Sequence, residues 1–90
     1  MARVTKTIEI EGLGALELRI PTRARFWDIQ KRFSRPHQAE KRVVKLVEAS
    51  MSKNEFRRVR EFSEAHPDRC DDALAQIVHV VGQELLKGVH

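Results

Sequence analysis

The side-chain period of this chain changes once, at Pro21-Thr22, and that change decides what it can fold into. Before it, Val4, Ile8 and Ile10 alternate with Thr5, Thr7 and Glu9, and Leu16, Leu18 and Ile20 alternate with Glu17 and Arg19, the period of half-buried strands. Lys6 falls on the apolar face and marks an edge or a frayed start. Between the two runs, Glu11-Gly12-Leu13-Gly14 supplies two glycines able to take positive φ, so residues 4–20 read as a β-hairpin. After Pro21-Thr22 the apolar residues recur at three and four. Thr22 is a good N-cap for a helix to about Phe33, with Phe26, Ile29 and Phe33 on one stripe and Trp27 beside it. Ser34-Arg35-Pro36 breaks that helix, and a second runs from about His37 to Ser50 on Ala39, Val43, Leu46 and Val47.

Ser52-Lys53-Asn54-Glu55 is a capping box, in which the serine hydroxyl and the glutamate carboxylate satisfy amide donors at the start of a third helix. Phe56, Val59 and Phe62 or Ser63 form the inner stripe of that helix. His66-Pro67-Asp68 interrupts it. A fourth helix is expected from about Asp71, on the stripe Leu74, Ile77, Val78, Val81 and Leu85, with Gly88 as its C-cap. The expected fold class is α+β, mostly α: one domain over 1–90, a hairpin at 4–20 and three to four helices over 22–88. Trp27, Phe33, Leu46, Phe56, Ile77 and Val81 are the expected core.

Two strands alone are marginal in water, and 90 residues make only a marginal core. A binding partner or self-association is therefore expected. The hairpin leaves a strand edge to pair, and Val80, Leu86 and Val89 lie off the main stripe of the last helix as a candidate protein-contact surface. One cysteine, Cys70, excludes an internal disulfide and fits a reducing cytoplasm. Met1 to Lys6 carry no apolar run of the kind a signal peptide needs, and no segment reaches the ~20 apolar residues of a membrane span.

Charge is unevenly placed. Residues 1–22 are neutral, residues 23–60 hold twelve basic against four acidic groups for a net +8, and residues 61–90 hold two basic against six acidic for a net −4. Such blocks can pair within one molecule or head to tail between copies. Arg23, Arg25, Arg32, Arg57 and Arg58 are the candidate basic contact patch, for nucleic-acid phosphates or an acidic protein. His66, Cys70, Asp71 and His79 match no paired-ligand spacing, so no metal or cofactor is expected. The acids on the basic helices are explained by intrahelical pairing such as Asp28 with Lys31 or Arg32, and no catalytic residue is assigned.

The step Leu18-Arg19-Ile20-Pro21-Thr22 out of a hairpin, followed by two helices, the capped start Met51-Ser52-Lys53-Asn54-Glu55-Phe56 and a terminal amphipathic helix, resembles the tail assembly chaperones of long-tailed bacteriophages. The resemblance spans roughly Val4 to Leu86, and the basic middle and the His66-Pro67-Asp68 break depart from that family. It implies a protein without enzymatic activity that coats the tape-measure protein, recruits tail-tube subunits in the host cytoplasm and then leaves; a homo-oligomer is expected separately, from the small core and the opposed charge blocks. A small nucleic-acid-binding regulator and a phage-encoded inhibitor of a host defence complex are the alternatives.

Overall fold

In the computed structural model, which describes residues 4–87, strands β1 (Thr5–Ile10) and β2 (Gly14–Arg19) pair antiparallel with Ile8 opposite Leu16 and Ile10 opposite Gly14. This register puts Ile8, Ile10, Leu16 and Leu18 on one face, and Leu16 and Leu18 are completely buried. The turn closes with the Leu13 N–H donating to the Ile10 carbonyl at 3.0 Å. Gly12 has φ +87 and Gly14 φ +96, a region that costs any residue with a Cβ. Lys6, on the apolar face, reaches over the edge of the core to Glu84 at 3.0 Å. Val4 does not join that face: it is 58% exposed, at the end of the ladder, where only its carbonyl is used, accepting from the Ile20 N–H at 2.8 Å.

Four α-helices follow: α1 (Arg23–Arg32), α2 (Ala39–Ala49), α3 (Lys53–Ala65) and α4 (Pro67–Lys87). Thr22 caps α1, its hydroxyl accepting from the Arg25 N–H. Pro36–Gln38 form one 3-10 turn before α2. Half of the capping box forms at α3: the Ser52 hydroxyl accepts from the Glu55 N–H at 3.3 Å, but the Glu55 carboxylate turns outward to the Glu17 N–H at 2.9 Å. α4 begins four residues earlier than the sequence implies. Pro67 occupies its first position, where a missing N–H leaves no bond unmade and a fixed φ is already helical, so a single residue, His66, separates α3 from α4.

The helices cover the apolar face of the hairpin. The core joins Ile10, Leu16, Leu18 and Ile20 to Val47, Met51, Val59, Phe62, Ala73, Ile77 and Val81. Of the six residues expected there, Leu46, Ile77 and Val81 are buried, Phe56 packs half-buried against the cluster, and Phe33 is half-buried at the end of α1. Trp27 is not in the core: it is 62% exposed. The ten-residue α1 buries only Ile29, and Trp27 lies about 200° around the helix from it. Val80, read as exposed, packs half-buried on the core, because 21 residues of helix over a curved core bring a wider stripe into contact than the strict repeat.

Candidate protein-binding surface

The five arginines read as a basic contact patch do not share one surface. Arg58 is a structural clamp: its guanidinium donates to the Ala15 carbonyl at 3.0 Å, the Leu13 carbonyl at 3.1 Å and Glu55 at 3.0 Å. Glu55 in turn accepts from Glu17, and the Arg19 N–H donates to the Ser50 carbonyl at 2.6 Å. Side chains of α3 and the end of α2 thus close the outer edge of β2. In an antiparallel ladder alternate residues turn their peptide groups outward, and on β2 these are Ala15, Glu17 and Arg19. The carboxylate of Glu55 sits below its ordinary pKa, chiefly because of the Glu17 N–H and also because of Arg58. On β1, Gln76 donates to the Glu9 carbonyl at 3.1 Å, while Thr5 and Thr7 are exposed. The open edge expected of the hairpin therefore narrows to the start of β1.

Arg25, Arg32 and Arg57 are exposed. Arg32 pairs with Asp28 at 3.2 Å on its own helix, and Arg57 faces a groove between α2 and α3. Arg23 lies elsewhere, at a hollow of 360 Å³ between the start of α1 and the end of α4. Phe26, Trp27, Gly82, Leu85 and Leu86 complete its lining. The Phe26 and Trp27 rings meet edge to face, 5.7 Å apart at 81°, which holds the indole in place while leaving its outer face in water. Leu86, 73% exposed, stands on the opposite wall. Of the three residues read as a protein contact, Leu86 is at this hollow, Val80 belongs to the core and Val89 lies outside the described residues.

Gly82 is a member of the hollow that the sequence reading misses, and an isolated glycine inside an otherwise strong helical pattern is its signal. A Cβ built there meets nothing within 4 Å, so no packing among the described residues demands glycine. Its absence of a side chain deepens the hollow, at a cost of about 1 kcal/mol of helix stability relative to alanine.

Cys70, Asp71 and His79 line a further, apolar groove between α2 and α4, and the His66 ring packs on Phe62 with centroids 5.0 Å apart. Among the described residues no three His, Cys, Asp or Glu side chains are grouped to hold a metal ion. No described helix is long and apolar enough to cross a membrane. The ion pairs within 4.0 Å stay inside each charge block or join Lys6 to Glu84; among the described residues none links the basic middle to the acidic tail. The hydrogen bond from Lys6 holds the Glu84 carboxylate below its usual range, with Lys87 assisting.

No protein-family model matches the chain, and no curated protein or solved structure matches it significantly.

Proposed function

We propose that this chain is a non-enzymatic assembly chaperone of a long-tailed bacteriophage tail, acting in the host cytoplasm. It grips a helical stretch of the tape-measure protein in the hollow between α1 and α4 and delivers tail-tube subunits to it. The observation that carries the reading is the pairing of Trp27 with Leu86: two large apolar side chains, the most exposed among the described residues, face one hollow floored by a glycine. Tryptophan and arginine anchors around an apolar centre are what concentrate binding energy at protein interfaces, and Arg23 provides the charged rim. An apolar hollow between two helices is the kind of groove that takes the apolar face of a third helix, whose residues at i, i+3 and i+4 would meet Trp27, Leu85 and Leu86. The choice among helix-binding functions comes from the resemblance in the Leu18–Thr22 step and the Met51–Phe56 helix start.

A protein partner is favoured over nucleic acid because the arginines are dispersed. Arg58 is bonded within the fold, Arg32 is paired, and Arg23 and Arg57 serve different grooves, whereas phosphate tracking needs a continuous stripe. The test is co-expression with the tape-measure and tail-tube proteins encoded beside it, followed by size-exclusion chromatography. The expected result is co-elution with the tape-measure segment that Trp27→Ala with Leu86→Asp abolishes. Neighbouring genes that encode neither protein, or co-elution untouched by the double variant, would overturn the assignment.

A further inference from the structure

The hollow between α1 and α4 has a neighbour on the same face of α4. One turn back from Gly82, Val78 and Ala75 line the groove between α2 and α4, whose other wall is Ala39, Val43 and Val44. At 100° per residue, Ala75, Val78, Gly82 and Leu86 lie within about 80° of one another around the helix axis. α1 packs on α2, so the far wall passes from one helix to the next while α4 supplies a common floor. From Asp71 to Leu86 that floor is about 22 Å long. The α2–α4 groove is the roomier part, at 620 Å³ against 360 Å³. A helix confined to the α1–α4 hollow would leave Val44, which is 38% exposed, and the half-buried Val43, Leu74 and Val78 facing water.

The charges of this face stand at its two ends. Arg23 is at one end, Glu40 and Asp71 are at the other, and all three are exposed. Between them the lining is uncharged apart from His79 at the margin. Among the described residues no ion pair within 4.0 Å uses Arg23, Glu40 or Asp71.

We propose that the two hollows are one seat for a single amphipathic helix of about four turns, laid along α4 with its acidic end at Arg23 and its basic end at Glu40 and Asp71. This rests on the helix-binding reading of the α1–α4 hollow and adds the length, the charge order and the direction of the helix bound there. The apolar middle supplies the burial, and the charged ends select the orientation. A helix with acids in its first turn and bases in its last, the order its own dipole favours, lies antiparallel to α4 in this seat, so the two dipoles also oppose.

Two native probes mark the two ends: Trp27, the only tryptophan, and Cys70, the only cysteine. The test uses the whole chain and a synthetic peptide of about 18 residues, with leucine and alanine on one face, glutamates in its first turn and lysines in its last. At saturation the peptide is expected to shift Trp27 emission to the blue and to slow maleimide labelling of Cys70 by about tenfold or more. A nitroxide on its acidic end is expected to quench Trp27, whereas the same label on its basic end, about 20 Å away, leaves the emission unchanged. Val44→Asp is expected to restore the labelling rate of Cys70 in a chain that circular dichroism shows to be folded. Arg23→Glu with Glu40→Lys and Asp71→Lys is expected to invert the result, so that only the label on the basic end quenches. Should that reversal unfold the chain, Arg23→Gln with Glu40→Gln and Asp71→Asn is expected to remove the preference between ends. A shifted Trp27 with Cys70 as reactive as in the free chain would confine the helix to the α1–α4 hollow, overturning the proposal and sparing the reading beneath it. Equal quenching from both ends of the peptide in the wild type would overturn the charge order. A Trp27 that stays solvated would overturn the proposal together with that reading.

Discussion

Arg58→Ala should be among the most damaging substitutions at any charged position of this fold. The side chain donates to two strand carbonyls, Ala15 and Leu13, and holds Glu55 against the Glu17 N–H. Hydrogen bonds from a charged donor contribute about 1.5–3 kcal/mol each where water is excluded. The Arg58 side chain is 39% exposed, so water replaces part of what is lost and about 1 kcal/mol per carbonyl is the appropriate figure. The Glu55 pair adds a few tenths. The expected loss is about 2 kcal/mol, which lowers the urea midpoint by about 1–2 M for a domain of this size. Arg57→Ala, one residue away and exposed, should change stability by no more than about 0.5 kcal/mol. Arg58→Lys, which keeps the charge but not the planar fork, should fall between them. Urea titration followed by far-ultraviolet circular dichroism reads all three. An Arg58→Ala variant as stable as Arg57→Ala would refute the clamp and return Arg58 to the free basic surface.

The depressed pKa of Glu55 means its carboxylate stabilises the fold fully above the unfolded value of about 4.3 and ceases to do so as pH falls through the folded value. The stability gap between wild type and Glu55→Gln should therefore be widest near neutrality and close in acid; a gap unchanged at about pH 3 would contradict the pairing. Trp27→Ala should cost under about 1 kcal/mol because the ring is largely solvated, while Ile77→Ala, fully buried, should cost about 2–5 kcal/mol; thermal melts showing equal losses would place Trp27 back in the core. Gly82→Ala should raise stability by about 1 kcal/mol and weaken partner capture, and a variant with unchanged binding would remove Gly82 from the site.

The architecture was legible because each of its signals is local. Alternation at Ile8–Ile10 and Leu16–Ile20, two glycines at the turn, the Thr22 and Ser52 caps and the Leu74–Leu85 repeat each constrain a few neighbouring residues, and the structure forms them all. Readings failed where the outcome depends on what lies across the fold, as three of them show. Trp27 sits next to an apolar stripe, and nothing local shows that α1 is too short and too peripheral to bury both Ile29 and an indole. Arg58 reads like Arg57 until β2 is set against α3. Pro67 reads as a break in either direction, and only the tight junction at His66 makes it a helix start. The proposed binding surface was half visible, in Leu86, because off-stripe apolar residues on a helix are local too. Its other half comes from α1, more than fifty residues earlier in the chain.

Trp27 is the only tryptophan in the chain, so its fluorescence reports on the proposed site with no background. Titrating the protein with a coiled-coil segment of the tape-measure protein should shift the emission to the blue and shield it from a soluble quencher, as a 62% exposed ring passes into an apolar seat. Leu86→Asp should remove both effects while leaving the fold intact. Emission that stays that of a solvated indole at saturating segment would contradict the account at its centre.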